Sequence, residues 1–209
     1  MRIVERTRRT LAIGAHPDDL EVGAGGLLAR LARTGEVTMV IASVPNRFEE
    51  RLAEAREGAR RLGAELVVLE EGRASRVDEQ PVHALVARLE ELLAQRAPDL
   101  VLAHGARDLH ADHTFVHRAT IAALGTTRTR CDVLAYGASP DLAAIPRAHG
   151  PCFADISDTI EVKLAAIAAH ASQFPTADAI ESRRDHARAA GRLCGATYAE
   201  PFELHRLYV

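Results

Sequence analysis

The chain has 209 residues, of which 47% are hydrophobic and 26% charged, and this composition supplies a core and excludes wholesale disorder. Its 26 Lys and Arg against 29 Asp and Glu give a net charge of −3, which argues against a nucleic-acid-binding protein. There are 10 His but only 3 Cys, which are far apart, so a bound metal would be held by nitrogen and oxygen rather than by thiolates.

Short apolar runs alternate with longer amphipathic ones along the first two thirds of the chain. The runs read as buried strands, and the amphipathic segments carry apolar residues at helical spacing. The predicted strands are 11–15, 37–42, 66–69, 99–103 and 133–136, and the predicted helices are about 25–33, 48–62, 79–95 and 112–124. This alternation is typical of a parallel sheet that is covered by helices on both faces.

The last third continues the same pattern after a loop over residues 137–150, which is the one plausible seam. A short strand at 153–156, helices near 159–171 and 179–193, and a final stretch 202–209 follow. We expect these elements to complete one domain over residues 1–209. The predicted fold class is therefore a Rossmann-like, open and mostly parallel α/β sheet in a single domain.

Two polar clusters directly follow the first and fourth predicted strands. The first is His16-Pro17-Asp18-Asp19, and the second runs from Asp108 to His113. In a doubly wound sheet of order 3-2-1-4-5, strands one and four are neighbours, and their carboxyl ends flank the usual ligand crevice. The two clusters, far apart in sequence, are therefore expected to meet in space.

Together the clusters supply the parts of an open metal site. Two imidazoles and one carboxylate, with a fourth position left to water, form a catalytic zinc site. The three expected ligands are His16, Asp19 and His113. Asp18 then lies beside the metal and can take a proton from water whose pKa the metal lowers to about 7. His110 would face the substrate, and Asp112 could orient and charge that imidazole.

Each signal also has an ordinary explanation. Asp-Asp after Pro is common turn chemistry, although two such clusters behind two strands make chance a poor explanation. Residues 23–26 are rich in glycine, but Leu28 stands where a dinucleotide fingerprint needs its last glycine, so close helix packing is favoured. The basic residues near 183–192 predict a solvated, ion-paired helix face, with a phosphate-bearing substrate group as the alternative.

The remaining histidines carry weaker predictions. His104 ends the fourth strand and is left open as a pocket residue. His117 lies four residues after His113, but we expect it behind the site or on the surface because the ligand set is already complete. His170 is expected to pack in the core or at a subunit contact.

The same residues resemble a known family. Residues 14–26, which begin Gly-Ala-His-Pro-Asp-Asp, are close to the first motif of the LmbE-like/PIG-L superfamily of metal-dependent sugar N-deacetylases. His110-Ala111-Asp112-His113 resembles the second motif, and further signatures lie at 51–54, 98–101, 155–157, 170–173 and 198–202. The resemblance extends over nearly the whole chain.

The resemblance implies a role for each matching residue. It implies a zinc ion bound by His16, Asp19 and His113, although another divalent ion such as iron(II) is left open. Asp18 matches the general base, and His110 matches the charged imidazole that stabilises the oxyanion. Asp112 matches the carboxylate partner of that imidazole. Arg51 matches an arginine that reaches the sugar.

The implied activity is hydrolysis of the N-acetyl group of an N-acetylglucosamine-type sugar or glycoside by metal-activated water. Two segments depart from the family pattern: residues 43–48 lack its Thr-x-Gly-Glu-like segment, and residues 70–73 replace its acidic-glycine stretch. Both loops are expected to border the crevice, so they put the identity of the substrate in doubt and leave the metal chemistry untouched.

Two alternatives remain open from the sequence. Two His and one carboxylate are also the facial triad of iron(II) oxygenases, which usually occupy all-β barrels. A non-catalytic sugar-binding module is the other alternative, although binding alone would not require Asp18 and His110. No secretory signal or span of about 18 apolar residues is found, so we expect a cytoplasmic protein without membrane or nucleic-acid partners. A homo-oligomer is left open.

Overall fold

The computed structural model describes residues 3–70, 72–137 and 151–209, so most of the predicted seam at 137–150 lies outside the described residues. The strands are β1 (Arg9–Gly14), β2 (Glu36–Ile41), β3 (Glu65–Val68), β4 (Leu100–His104), β5 (Asp132–Tyr136), β6 (Pro151–Asp155) and β7 (Ala199–Arg206). The helices are α1 (Ile3–Arg6), α2 (Asp19–Leu31), α3 (Phe48–Leu62), α4 (Val82–Arg96), α5 (Ala111–Thr127), α6 (Ile160–Ala168) and α7 (Ala177–Cys194). A short 3-10 turn spans Val77–Glu79.

The strands form one sheet of order β3-β2-β1-β4-β5-β7-β6. The first five strands are parallel and follow the predicted order 3-2-1-4-5. β7 pairs antiparallel with both β5 and β6, so the last strand of the chain lies inside the sheet. The single-domain α/β class with a mostly parallel sheet is confirmed, and the antiparallel insertion of β7 is what the sequence did not predict.

The largest boundary difference is at α2, which begins at Asp19 rather than near residue 25. Glycines disfavour a helix, which explains the late predicted start. The structure shows what they permit: a Cβ on Gly23 would lie 2.2 Å from a ring carbon of Tyr136, and one on Gly26 would lie 2.7 Å from Ile156. The glycines therefore allow α2 to pack closely against β5 and the β6–α6 connection. This agrees with the close helix packing that the sequence favours for residues 23–26.

A buried ion pair fastens α2 to the C-terminal elements. Lys163 Nζ of α6 lies 2.5 Å from Glu200 Oε1 of β7 and donates to the carbonyl oxygen of Val22 at 2.7 Å. The Glu200 carboxylate accepts from the backbone N–H groups of Gly26 and Leu27, both at 2.8 Å. These buried hydrogen bonds link α6 and β7, from the last third of the chain, to α2, the helix that follows the first cluster.

This topology brings the two polar clusters together. β1 and β4 are neighbours. The first cluster follows β1 and ends at Asp19, the first residue of α2, and the second follows β4 and extends into the first turn of α5. Both clusters are thus at the carboxyl edge of the parallel strands, where open α/β sheets bind ligands. Among the described residues, no helix combines the length and the apolar character that crossing a bilayer requires.

Candidate metal centre

The loop between β1 and α2 is tightly bent, and its backbone N–H groups donate to the carboxylate of Asp19. Asp18 has a φ of 93°, a left-handed conformation that costs a non-glycine residue on the order of 1–3 kcal/mol. Its side chain makes no capping hydrogen bond to α2. Instead, Asp19 Oδ2 accepts from the backbone N–H groups of Ala15 at 2.9 Å and His16 at 2.8 Å. The strained loop therefore leaves the Asp18 carboxylate available to the crevice.

His16, Asp19 and His113 converge on one buried centre. One potential ligand atom from each lies within 4.8 Å of the other two. His113 Nε2 is 3.2 Å from Asp19 Oδ1, and His16 Nδ1 is 3.8 Å from Asp19 Oδ2. Two atoms bound to one tetrahedral zinc ion at 2.0–2.2 Å would be roughly 3.3–3.6 Å apart. The two measured distances lie on either side of this range, and the nitrogen and oxygen donors fit a divalent metal ion.

Each of the two imidazoles has a carboxylate on its other nitrogen. His113 Nδ1 lies 3.0 Å from Asp108 Oδ2, and His16 Nε2 lies 2.9 Å from Asp112 Oδ2. Histidines that bind metals commonly use their second nitrogen in this way, which fixes the tautomer and the orientation of the ring. Asp108 was missed as a functional residue in the sequence, although a carboxylate beside a predicted metal-binding histidine was the available signal.

The position of Asp112 differs from the sequence expectation. Its carboxylate was expected to orient and charge His110, but the side chain contacts His16 instead. The link to His110 runs through the backbone: His110 is the N-cap of α5, and its Nδ1 accepts the N–H of Asp112 at 3.2 Å. With Nδ1 accepting a backbone N–H, Nε2 is the nitrogen of His110 that is left to donate a hydrogen bond.

His104, left open by the sequence, lies behind the centre and is fully buried. Its Nε2 is 3.2 Å from Asp19 Oδ2 and 3.3 Å from the hydroxyl of Tyr136, which donates to a backbone carbonyl of β1. Its ring stacks on that of His113 with 4.0 Å between centroids. His104 therefore contacts Asp19 and His113 on the buried side of the centre, and it is not among the residues that line the cavity. His117 donates from Nδ1 to the His104 carbonyl rather than joining the three-residue set.

The acidic and basic side chains of the centre have strongly shifted pKa values. Burial and the neighbouring Asp19 charge raise the pKa of Asp18 to about 7. Burial lowers the pKa of His113, but its contacts with Asp108 and Asp19 outweigh burial and raise that pKa to about 10. Burial would raise the pKa of Asp19, yet His104 and His113 hold it well below its usual range. The ring of His113 lies between the carboxylates of Asp108 and Asp19. A metal ion would replace a proton on this ring, and the charge of the ion would lower the pKa of Asp18.

A cavity of about 530 Å³ opens over the centre. Its lining residues are His16, Asp18, Asp19, Pro45, Asn46, Arg51, Arg76, His110, Asp112, His113 and Gln173. Arg51 is buried and donates to the carbonyl oxygen of Pro17 at 3.0 Å, and its Nη2 lies 3.5 Å from Asp18 Oδ1. Arg51 therefore braces the Asp18 loop as well as lining the cavity. Pro45 and Asn46 come from one of the two segments that depart from the family pattern.

The comparison with protein families identifies the relationship. The profile described as "PIG-L: GlcNAc-PI de-N-acetylase" matches residues 11–124, which is more than half of the chain and includes both clusters. The chain belongs to the PIG-L family. Family membership confirms the resemblance found in the sequence. It does not favour the iron(II) oxygenase or the non-catalytic module.

Curated relatives of this PIG-L family member are deacetylases. The chain is 31% identical over 175 aligned residues to the uncharacterized deacetylase YaiS of Escherichia coli strain K12, covering 78% of this chain and 90% of YaiS. It is 27% identical over 165 residues to the 1D-myo-inositol 2-acetamido-2-deoxy-alpha-D-glucopyranoside deacetylase of Kineococcus radiotolerans, covering 58% of this chain and 46% of that longer protein. The protein is thus an enzyme of a deacetylase family.

A solved structure supports the same fold. The crystal structure of the conserved protein TT1542 from Thermus thermophilus superposes with a TM-score of 0.79 at 27% identity, covering 97% of both chains. The fold that the two proteins share therefore extends through the described C-terminal elements, beyond the residues that the family profile matches.

Proposed function

We propose that this chain is a zinc-dependent hydrolase that removes the N-acetyl group from a small N-acetylglucosamine-type sugar or glycoside. The observation that carries the proposal is the convergence of His16, Asp19 and His113, with Asp18 beside them, in a chain of a deacetylase family. The acetylated amino sugar named for the Kineococcus relative supports this substrate class. In this proposal residues 1–209 act as one deacetylase domain.

His16, Asp19 and His113 would hold the ion, and Asp112 and Asp108 would orient the two imidazoles. A bound zinc ion would polarise the acetamide carbonyl and lower the pKa of a coordinated water from 15.7 to about 7. The same ligands would accept another divalent ion such as iron(II). The ligand set is buried, so the charges that hold the ion are screened little by solvent.

The remaining residues of the cavity would move protons and bind charge. Asp18 accepts a proton from the water that attacks the acetamide carbon, and it passes that proton to the amine nitrogen when the C–N bond breaks. The products are acetate and the free amino sugar. His110 donates from Nε2 to the carbonyl oxygen as that oxygen becomes negative, a contribution of about 2.7–4 kcal/mol in comparable sites. Arg51 keeps Asp18 in place and reaches toward the sugar.

The proposed function is tested by an amine-release screen over N-acetylglucosamine, its oligomers and its glycosides, with and without zinc. We expect equimolar acetate and free amine from at least one of these compounds, and only when the metal is present. A protein with one zinc ion per chain that releases amine from none of them would contradict this substrate class. Oligomeric state and cytoplasmic location remain predictions from the sequence.

The contacts of Asp112 predict an effect on metal affinity. Asp112→Asn and Asp108→Asn are each expected to weaken zinc binding by about 10- to 100-fold, because each carboxylate orients one of the two imidazoles. Competition with a zinc-chelating dye measures the change. Asp185→Asn, which alters an exposed ion pair on α7, is the control and should bind zinc like the wild type. An Asp112→Asn protein with normal zinc affinity and a reduced kcat would instead assign Asp112 to His110.

A further inference from the structure

The last third of the described chain contributes one residue, Gln173, to the wall of the cavity over the metal centre. Gln173 follows α6 and lines the cavity together with Asp18 and Arg51, and the other lining residues all come from positions 16–113. Gln173 is exposed, so its side-chain amide is accessible to a molecule in the cavity. An amide does not titrate, and Gln173 is not part of the ligand set, so the proposed hydrolysis assigns it no step.

The turn that carries Gln173 is anchored against α2 and α3. His170 is fully buried, and its Nε2 lies 3.0 Å from Glu21 Oε1 of α2. A Cβ on Gly58 of α3 would lie 2.4 Å from that Glu21 oxygen and 2.9 Å from His170 Nε2, so α3 packs directly against the pair. The backbone N–H groups of Gln173 and Phe174 both donate to the carbonyl oxygen of His170, at 2.9 and 2.8 Å. The backbone of the turn is therefore fixed relative to both helices.

A chain of hydrogen bonds orients the amide of Gln173. Glu54 of α3 accepts the backbone N–H of Ser172 at 2.7 Å and the Ser172 hydroxyl at 2.6 Å. Gln173 Nε2 donates to Ser172 Oγ at 3.1 Å. An ionised carboxylate can only accept, so the Ser172 hydroxyl donates to Glu54, and its oxygen is left to accept from the amide nitrogen. The chain therefore fixes which end of the amide is nitrogen, and the amide oxygen of Gln173 accepts no hydrogen bond from the described residues.

The same helix also supports the loop that carries Asp18. Arg51, three residues before Glu54, donates to the carbonyl oxygen of Pro17 at 3.0 Å. Residues three positions apart lie on the same face of a helix. One face of α3 therefore holds the Asp18 loop through Arg51 and the Gln173 turn through Glu54, so the two walls of the cavity share one rigid support.

We propose that Gln173 binds a hydroxyl group of the sugar through its amide oxygen, and that Glu54 positions this amide through Ser172. This inference rests on the proposed deacetylase function and adds a determinant of sugar specificity to it. A sugar hydroxyl is uncharged and can donate to an amide oxygen, which matches the neutral side chain of Gln173. The contact is made in the ground state as well as in the transition state, so its loss raises KM more than it lowers kcat.

The test compares methyl N-acetylglucosaminide with its 3-deoxy, 4-deoxy and 6-deoxy analogues on the zinc-loaded enzyme. For the wild type we expect kcat/KM of at least one analogue to be lower than that of the parent sugar by about 3- to 10-fold, the range of a neutral hydrogen bond. Gln173→Leu should abolish the discrimination against one such analogue, mainly through a higher KM for the parent sugar. Gln95→Leu, at an exposed position of α4, is the control and should discriminate like the wild type.

Variants of the hydrogen-bond chain test the positioning role. Glu54→Gln removes the charge that sets the direction of the chain, and Ser172→Ala removes the hydroxyl that links it. Both should weaken the same discrimination, whereas Ser172→Thr keeps a hydroxyl and should retain it. Glu57→Gln is the matched control on α3, because it alters only ion pairs with Arg60 and Arg61 and should leave KM unchanged. Thermal unfolding of each variant shows whether the fold is intact.

Three results would overturn the inference while the deacetylase function stands. A wild-type enzyme that does not discriminate among the four sugars would exclude the hydroxyl contact. A Gln173→Leu enzyme that discriminates like the wild type, or that loses activity equally on all four sugars, would exclude Gln173 as the residue that makes it. Wild-type discrimination in both Glu54→Gln and Ser172→Ala would exclude the positioning role.

If no sugar releases amine, the proposed function fails, and binding still decides the role of Gln173. Calorimetry of the same four sugars with zinc-loaded wild type and Gln173→Leu protein supplies that measurement. A preference for the parent sugar over one analogue that is present in the wild type and absent in Gln173→Leu would support the contact. Equal binding of all four sugars to the wild type would overturn it.

Discussion

Replacement of Asp18 is expected to leave zinc bound and to lower kcat by about 10²- to 10⁴-fold, the usual contribution of a positioned general base. Asp18 is not in the three-residue ligand set, and its carboxylate makes no capping hydrogen bond to α2. The residue lines the cavity beside the centre.

The choice of variant matters because of the backbone at this position. Asp18 has a φ of 93°, and asparagine tolerates the left-handed region far better than alanine. Asp18→Asn therefore removes the base and keeps the loop, whereas Asp18→Ala removes the base and strains the loop further. Both variants should bind zinc, measured by atomic emission, and both should lose amine release. An active Asp18→Asn enzyme would overturn the base assignment, and loss of zinc would make Asp18 a ligand.

The fold was predicted well wherever buried strands are marked by continuous apolar runs. The runs at 11–15, 37–42 and 99–103 became the adjacent central strands β1, β2 and β4, whose paired residues are almost entirely buried. The position of β7 could not be read in the same way. Its sequence contains Pro201 and several charged residues, and its place between β5 and β6 depends on pairing with strands distant in the chain.

The sequence predicted which residues of the candidate site lie close together, but it did not predict which of their atoms are in contact. Strand order was enough to bring His16 and His113 together, because it fixes which loops are neighbours. The partner of Asp112 depends on the first turn of α5, where His110 is the N-cap and Asp112 points across to His16. No spacing rule in the sequence specifies that orientation.

Arg183 illustrates the same limit on α7. A run of arginines with acidic residues at helical spacing predicts ion pairs, and Arg184 and Arg188 form them. Arg183 instead lies over the ring of Phe174, a residue outside that helix, and no spacing within the helix predicts this contact.

Replacement of His113 by alanine is expected to reduce zinc affinity by more than the roughly 10- to 100-fold that loss of an outer carboxylate causes. The variant loses one of three protein ligands, and the two that remain, His16 and Asp19, are only three residues apart in the chain. His117→Ala is the matched control on the same helix, since His117 contacts the carbonyl of His104 and is not part of the ligand set. It should keep its zinc.

A second measurement separates loss of the ligand from loss of the fold. In the metal-free protein, His113 has its pKa raised to about 10, so its contacts with Asp108 and Asp19 stabilise the folded state. That stabilisation is complete below the unfolded pKa of about 6.5 and is lost as the pH rises through about 10. Metal-free His113→Ala should therefore unfold at a lower temperature than metal-free wild type at pH 7, and the difference should shrink toward pH 10. A folded His113→Ala protein that binds zinc as tightly as the wild type would show that the ligand set is wrong.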